Sequence, residues 1–191
     1  MFFGRCVMSD RALFTVGVFA GILRGVDGRL LLRRRVEEGS ILPGQSFKGC
    51  WELPGGGVQD LEKISYAYLS RELERELREE LDFRLQLDPM PAFFPAPFKG
   101  PKGYDLALVT PILMIETAVF KGETIWVSPS ELEQLAREFV APNRQTGADG
   151  KGLLSGYGKR MHCLALAAFS LRGSGHAKQA ASMLVEIQKT W

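Results

Sequence analysis

After ten residues with no clear pattern, the stretch from Leu13 to Leu23 is crowded with Phe, Val and Ile and has little polar interruption. Such a run predicts a buried strand. Val26-Asp27-Gly28 is a turn signal, and Arg29 to Val36 reads as the second arm of a hairpin. A polar loop bearing Gly and Pro follows from Glu37 to Gly49. Trp51-Glu52-Leu53-Pro54 then runs into Gly55, Gly56 and Gly57, where the chain must turn sharply and bring backbone close to something. From about Lys63 to Leu81 the period changes: Leu69, Leu73, Leu77 and Leu81 recur every fourth residue, the apolar stripe of a helix. Asp82 stands where that helix ends, and Asp tolerates the left-handed conformation that often closes helices.

The second half is less regular. Residues 88–103, rich in Pro, Phe, Gly and Lys, read as a loop. Leu106 to Val119 reads as one or two strands, interrupted near Pro111. Thr124 to Val127 is a short strand, and Ser128-Pro129-Ser130-Glu131 starts a helix. Residues 147–158 form a glycine-rich loop, and residues 158–190 read as two helices broken at Gly173-Ser174-Gly175. The order predicts an α/β domain, a mixed sheet covered by helices. Residues 1–10 are expected to be an N-terminal tail and 11–191 a single domain that includes the C-terminal helices.

Composition sets bounds. The length, 191 residues, suits one core rather than two. A net charge of +2 argues for neither membrane nor long nucleic acid as partner. Cys6, Cys50 and Cys163 are odd in number and form no CxxC pair, which fits a reducing cytoplasm better than a disulfide framework. Arg5 and Arg11 precede an apolar stretch, but no small-x-small cleavage site follows, so a strand is expected there rather than a leader.

The chemistry concentrates in Arg75-Glu76-Leu77-Arg78-Glu79-Glu80. Positions 76, 79 and 80 fall on one side of a helix, with Glu72 one turn earlier. Acids and bases alternate from Arg71 to Glu80, and alone that describes a solvated, salt-bridged face. Beside a glycine turn, the same carboxylates suit a hard divalent cation, because Mg²⁺ and Mn²⁺ favour oxygen donors and share their shell with substrate phosphates.

Gly56, five residues, Glu62, and later Arg75-Glu76-Leu77-Arg78-Glu79-Glu80-Leu81-Asp82-Phe83 resemble the signature of the Nudix hydrolases, G-x5-E-x7-R-E-U-x-E-E-x-G-U, where U is bulky and aliphatic. Trp51-Glu52-Leu53-Pro54-Gly55-Gly56 resembles the run into that box. Two departures stand out: five extra residues lie between Glu62 and Arg75, and Asp82-Phe83 replace Gly and an aliphatic residue. Inserted into a continuous helix, five residues would rotate the glycine turn by roughly 140° and move it ~7.5 Å. The expectation is therefore a longer loop or an added turn around Leu61 to Ser70. An alternative frame starting at Arg71 loses the Glu-Glu pair.

The resemblance implies an α/β/α sandwich with a mixed β-sheet, here with extra C-terminal helices. It implies hydrolysis of a phosphoanhydride (pyrophosphate) bond in a nucleoside diphosphate derivative, with Mg²⁺ or Mn²⁺ as cofactor. Glu76, Glu79 and Glu80 would be metal ligands or bases, Gly56 would present backbone to metal or phosphate, and Glu62 and Arg75 would form a structural ion pair. Glu123 resembles a later acid that the family recruits, with Glu116 as the competitor. A homodimer fits the family. The alternative is a Nudix-like module that binds a nucleotide or protein partner without turnover.

Other residues carry paired readings. Arg33 and Arg35 share a strand face, and one would reach a phosphate; otherwise they guard an edge strand. Phe94 and Tyr104, with Phe93 and Phe98, would stack on a base or seal the core. Trp51 and Trp126 are expected in the core or a groove wall. Lys151, Lys159 and Arg160 lack P-loop spacing, His162 and His176 lack a motif partner, and Cys163 reads as a buried small hydrophobe. Specificity is expected from 89–103 and the last two helices.

Overall fold

A computed structural model describes residues 13–36, 49, 51–85, 93–100, 103–114, 118–137 and 158–171, together with 178, 179, 182 and 183. Among the described residues the elements follow in this order: β1 (Leu13–Arg24), β2 (Leu30–Arg34), β3 (Trp51–Glu52), β4 (Gly55–Gly57), α1 (Tyr66–Leu81), β5 (Phe94–Gly100), β6 (Gly103–Met114), β7 (Thr124–Val127), α2 (Pro129–Arg137) and α3 (Gly158–Leu171). The strands form one sheet. β1 and β6 run parallel from Leu13↔Gly103 to Arg24↔Met114. The remaining pairs are antiparallel, so the sheet is mixed.

Period-two alternation along β1 divides the core between the faces. Val16, Val18, Ala20 and Ile22 point to one face, where they meet Leu69, Leu73, Leu77 and Leu81 of α1. Phe19 and Leu23 point to the other, where Leu132 of α2 and Leu164, Ala165, Ala168 and Phe169 of α3 cover them. The result is an α/β/α sandwich. Gly21 lets α3 come close, because a Cβ there would collide with the methyl of Ala168.

Helix ends follow local chemistry. A 3-10 turn at Leu61–Lys63 precedes α1, whose start is capped by Ser65 accepting the Tyr68 N–H at 3.3 Å. The helix therefore begins at Tyr66, not at Lys63. It ends where Asp82 turns left-handed at φ 52°. The Asp82 N–H reaches the Arg78 carbonyl at 3.1 Å, and the Lys121 N–H takes the Leu81 carbonyl at 2.9 Å. At α2, Ser128 Oγ accepts the Glu131 N–H at 3.3 Å while Glu131 accepts the Ser128 N–H at 2.7 Å, a reciprocal capping box.

Two strand expectations need correction. Residues 94–100, read as loop, are strand β5, at the sheet edge. Pro95 and Pro97 are two residues apart, so both present their missing N–H to the same side, and an edge strand has one side without a ladder. Pro111 does not interrupt β6. The β5 pairing ends at Phe94↔Val109, before Pro111, which lies in register with Gly21 of the parallel neighbour β1.

Candidate active site

Helix α1 buries two parallel stripes. Leu69, Leu73, Leu77 and Leu81 form the apolar one. Glu72, Glu76 and Glu80, also four apart, form the second and are buried beside it. Glu79 does not belong to that stripe; its side chain is 55% exposed. The strand of three glycines, β4, lies against these glutamates.

Gly55 and Gly56 are needed there for different reasons. Gly55 sits at φ +141°, and a Cβ would strike the Val18 backbone. Gly56 faces the Glu76 carboxylate: an added Cβ would lie 2.5 Å from Oε1, 2.6 Å from Cδ and 2.7 Å from Oε2. The backbone approach foreseen at this turn is thus an approach to Glu76, while Gly56 itself pairs with Val18 in the sheet.

Below lies a buried ion network. Arg33 donates to Glu52 at 2.7 Å and to Glu80 Oε1, and Arg35 donates to Glu52 at 3.2 Å. The Gly55 N–H takes the second Glu80 oxygen at 2.8 Å. Both carboxylate oxygens of Glu80 are therefore committed to protein donors. Burial pushes its pKa well above the carboxylate range, against the pull of Arg33. The phosphate-binding expectation for Arg33 and Arg35 is corrected here: they share a face, but that face points inward to Glu52 and Glu80. Nor is β2 an edge, since it pairs with β1, β3 and β7.

Nearer the surface, Arg75 gathers three carboxylates. It donates to Glu72 at 3.2 Å, Glu76 at 2.5 Å and Glu79 at 3.0 Å. Burial works against its charge, but Glu72, Glu76 and Glu79 outweigh it and raise its pKa. Burial raises the Glu76 pKa, opposed by Arg75. Glu76 is 0% exposed, and its Oε2 finds no hydrogen-bond donor among the described residues. The expected Glu62–Arg75 pair is not formed. Glu62 is exposed on the 3-10 turn, where its N–H meets Asp60, and Arg75 is drawn to the acids of its own helix one turn away.

Glu123 is not brought to this cluster either. It pairs with Arg34 at 2.9 Å, and Arg34 lies over Trp51, on the face covered by α3. Strand alternation separates Arg34 from Arg33, and Glu123 goes with Arg34. Glu116 lies outside the described residues, as do the side chains of Phe94 and Tyr104. Phe93 seals core, edge-on to Tyr66 at 5.4 Å. Phe83, in the box's aliphatic place, packs edge-on against Phe120 at 5.5 Å. Cys163 is buried among apolar residues. Glu52 was missed in the sequence; its one signal is its place, a residue from Trp51 in the run into the glycines.

Oxygen donors of the right kind for a hard cation are present, one buried oxygen of Glu76 meets no donor among the described residues, and the bare Cα at Gly56 makes room for that carboxylate. As they stand, no three acidic, His or Cys side chains among the described residues converge enough to hold an ion. The Arg75 guanidinium lies among the outer carboxylates instead.

No family model matches the chain, and no curated protein does. Among solved structures, it is similar to a MutT protein from Methanosarcina mazei Go1, at 24% identity over 66% of this chain and 85% of that one, with a TM-score of 0.48. It is also similar to a MutT NUDIX hydrolase from Burkholderia pseudomallei, at 30% identity over 61% and 75%, TM-score 0.37. A third is the NUDIX domain of Shewanella oneidensis NrtR complexed with ADP ribose, at 20% identity over 62% and 75%, TM-score 0.40. These overlaps are partial, and the functional case rests on the site.

Proposed function

We infer that this chain belongs to the Nudix hydrolases and cleaves a phosphoanhydride bond in a nucleoside diphosphate derivative with the help of Mg²⁺ or Mn²⁺. The observation that carries this reading is Glu76: a carboxylate at 0% exposure, seated on Gly56, with one oxygen that no donor reaches among the described residues. Such a buried group calls for a partner, and a bound cation would supply one.

Glu72, Glu76 and Glu79 are the residues we assign to the cation. Once bound, it would neutralise phosphate charge and lower the pKa of a water. Glu79 reaches solvent and is our candidate to take the proton from the attacking water. Glu80 acts as a positioning residue, holding Gly55 and Arg33 in place under Glu76. We assign Arg33, Arg35 and Glu123 no part in substrate binding. We place the protein in the cytoplasm, on its cysteine usage, and no helix of the described residues is long and apolar enough to cross a membrane.

The test is turnover of a panel of nucleoside diphosphate and triphosphate derivatives with Mg²⁺, Mn²⁺ or EDTA, alongside Glu76→Gln. Metal-dependent turnover that falls about a hundredfold or more in the variant is the expected result. One observation favours a second reading, a module that binds without turnover: Arg75 already pairs with all three outer carboxylates. A nucleotide that raises the melting temperature of native protein and Glu76→Gln alike, with no hydrolysis, would establish that reading instead.

A further inference from the structure

Helix α1 and the chain leaving the glycine strand lie side by side in opposite directions, and one stripe of the helix meets that chain at four levels. Glu80 takes the Gly55 N–H at 2.8 Å. Glu76 faces the Cα of Gly56. Glu72 takes the Gln59 N–H at 3.4 Å, and the Tyr68 hydroxyl takes the Asp60 N–H at 3.1 Å. Tyr68, Glu72, Glu76 and Glu80 are each four residues apart, so the tyrosine heads the stripe of buried acids. It belongs to the first turn of α1, inside the stretch where the chain carries five residues more than the Nudix spacing. The Gln59 bond beside it is long, and it shares one Glu72 oxygen with Arg75, at 3.2 Å. The Tyr68 bond is the firmer tie between α1 and the loop at this end.

We propose that Tyr68 is a positioning residue: its hydroxyl clamps the Gln59–Asp60 loop to α1 and so holds the Gly55–Gly57 strand in line against Glu76. The inference deepens the hydrolase reading above and rests on it. A phenol suits this level of the stripe for two reasons. It accepts an N–H without bringing a charge, where a further carboxylate would repel Glu72 one turn away. Its ring packs against the core on the α1 side of the sheet, so the stem that carries the hydroxyl is fixed. Phenylalanine in its place keeps the packing and loses only the bond.

The experiment compares native protein, Tyr68→Phe and Ala67→Gly. The last weakens the same turn of α1 through helix propensity alone, at an exposed position. Amide hydrogen exchange is followed at Gln59 and Asp60. Steady-state kinetics are measured on whichever nucleoside diphosphate derivative of the panel native protein turns over fastest. In Tyr68→Phe the Asp60 amide should exchange about tenfold faster, the usual contribution of one hydrogen bond. Its kcat should fall about three- to tenfold with KM little changed. Ala67→Gly should lower the melting temperature to a similar degree and keep the native kcat. A native Asp60 exchange rate or a native kcat in Tyr68→Phe, or an equal fall in kcat in Ala67→Gly, overturns the proposal and leaves the hydrolase reading standing. Native protein that turns over no member of the panel overturns both, whatever the exchange rates.

Discussion

Two arginines each gather carboxylates beneath and beside the glycine strand, and they do so under opposite conditions. Arg33 is 4% exposed and bonds Glu52 and Glu80, themselves 4% and 2% exposed. Arg75 is 27% exposed and bonds Glu72, Glu76 and Glu79, the last 55% exposed. The inner cluster holds its charges almost wholly out of solvent, while the outer one opens to it at Arg75 and Glu79. The same chemistry thus serves as a buried framework in one place and as a partly solvated cluster in the other, and burial decides which.

The largest expected effect breaks the inner cluster. Arg33→Met leaves Glu52 and Glu80 buried without their shared donor, and should destabilise the fold by about 3–5 kcal/mol in urea denaturation. Arg75→Gln should cost less by the same measurement, because Arg75 and Glu79 reach solvent, although Glu76 loses its donor. Equal costs would mean that burial does not separate the two clusters.

The glycines sharpen the contrast. Gly55→Ala meets backbone at positive φ, where nothing can move aside, so the loss should be mainly of stability. Gly56→Ala meets the Glu76 carboxylate, the end of a side chain. We expect about 1–2 kcal/mol there, with the loss of Mn²⁺ affinity exceeding the loss of stability. Calorimetry on both variants would refute this if Gly56→Ala bound Mn²⁺ normally.

Much of this was legible in the chain. The leucine stripe, the hairpin turn and the Ser128 cap each carry a local signal, and each sits where that signal put it, whereas the three glycines, read as a sharp turn, form the strand β4. Pro95 and Pro97 hid β5, because edge placement is decided by the neighbours a strand has, not by its own residues. Within the site, the spacing 76, 79, 80 grouped Glu79 with the buried acids, but the sheet lies against the 72, 76, 80 stripe. The Glu52–Arg33 pairing came from a long-range register, Arg33↔Glu52, that nothing local encodes. The same holds for Glu123, whose face is set by pairing with Arg34.

A smaller effect is expected where α1 ends. Asp82 holds φ 52°, a conformation that costs an L-residue energy and glycine almost none. Asp82→Gly should therefore gain about 0.5–1 kcal/mol in thermal unfolding, while Mn²⁺ affinity stays the same, since the Asp82 side chain takes no part in either arginine cluster.

The smallest effect lies at the hairpin tip, far from both clusters. Arg24 donates to Asp27 at 2.9 and 2.5 Å, and this bond holds the Asp27 carboxyl at about 2. A carboxylate with a lowered folded pKa stabilises the fold above its unfolded value, roughly 3.9, and that contribution is lost as pH falls through the folded pKa. The Asp27 contribution should thus be intact at pH 5, decline below roughly pH 4, and be gone once the pH is below about 2. Because the pair is solvent-exposed, salt should weaken it, unlike the Arg33 network. Side-chain NMR titration should find the Asp27 midpoint near 2 in native protein and higher in Arg24→Gln. A midpoint unmoved by that substitution would show that the turn backbone, whose Arg29 N–H also reaches Asp27, sets the value instead.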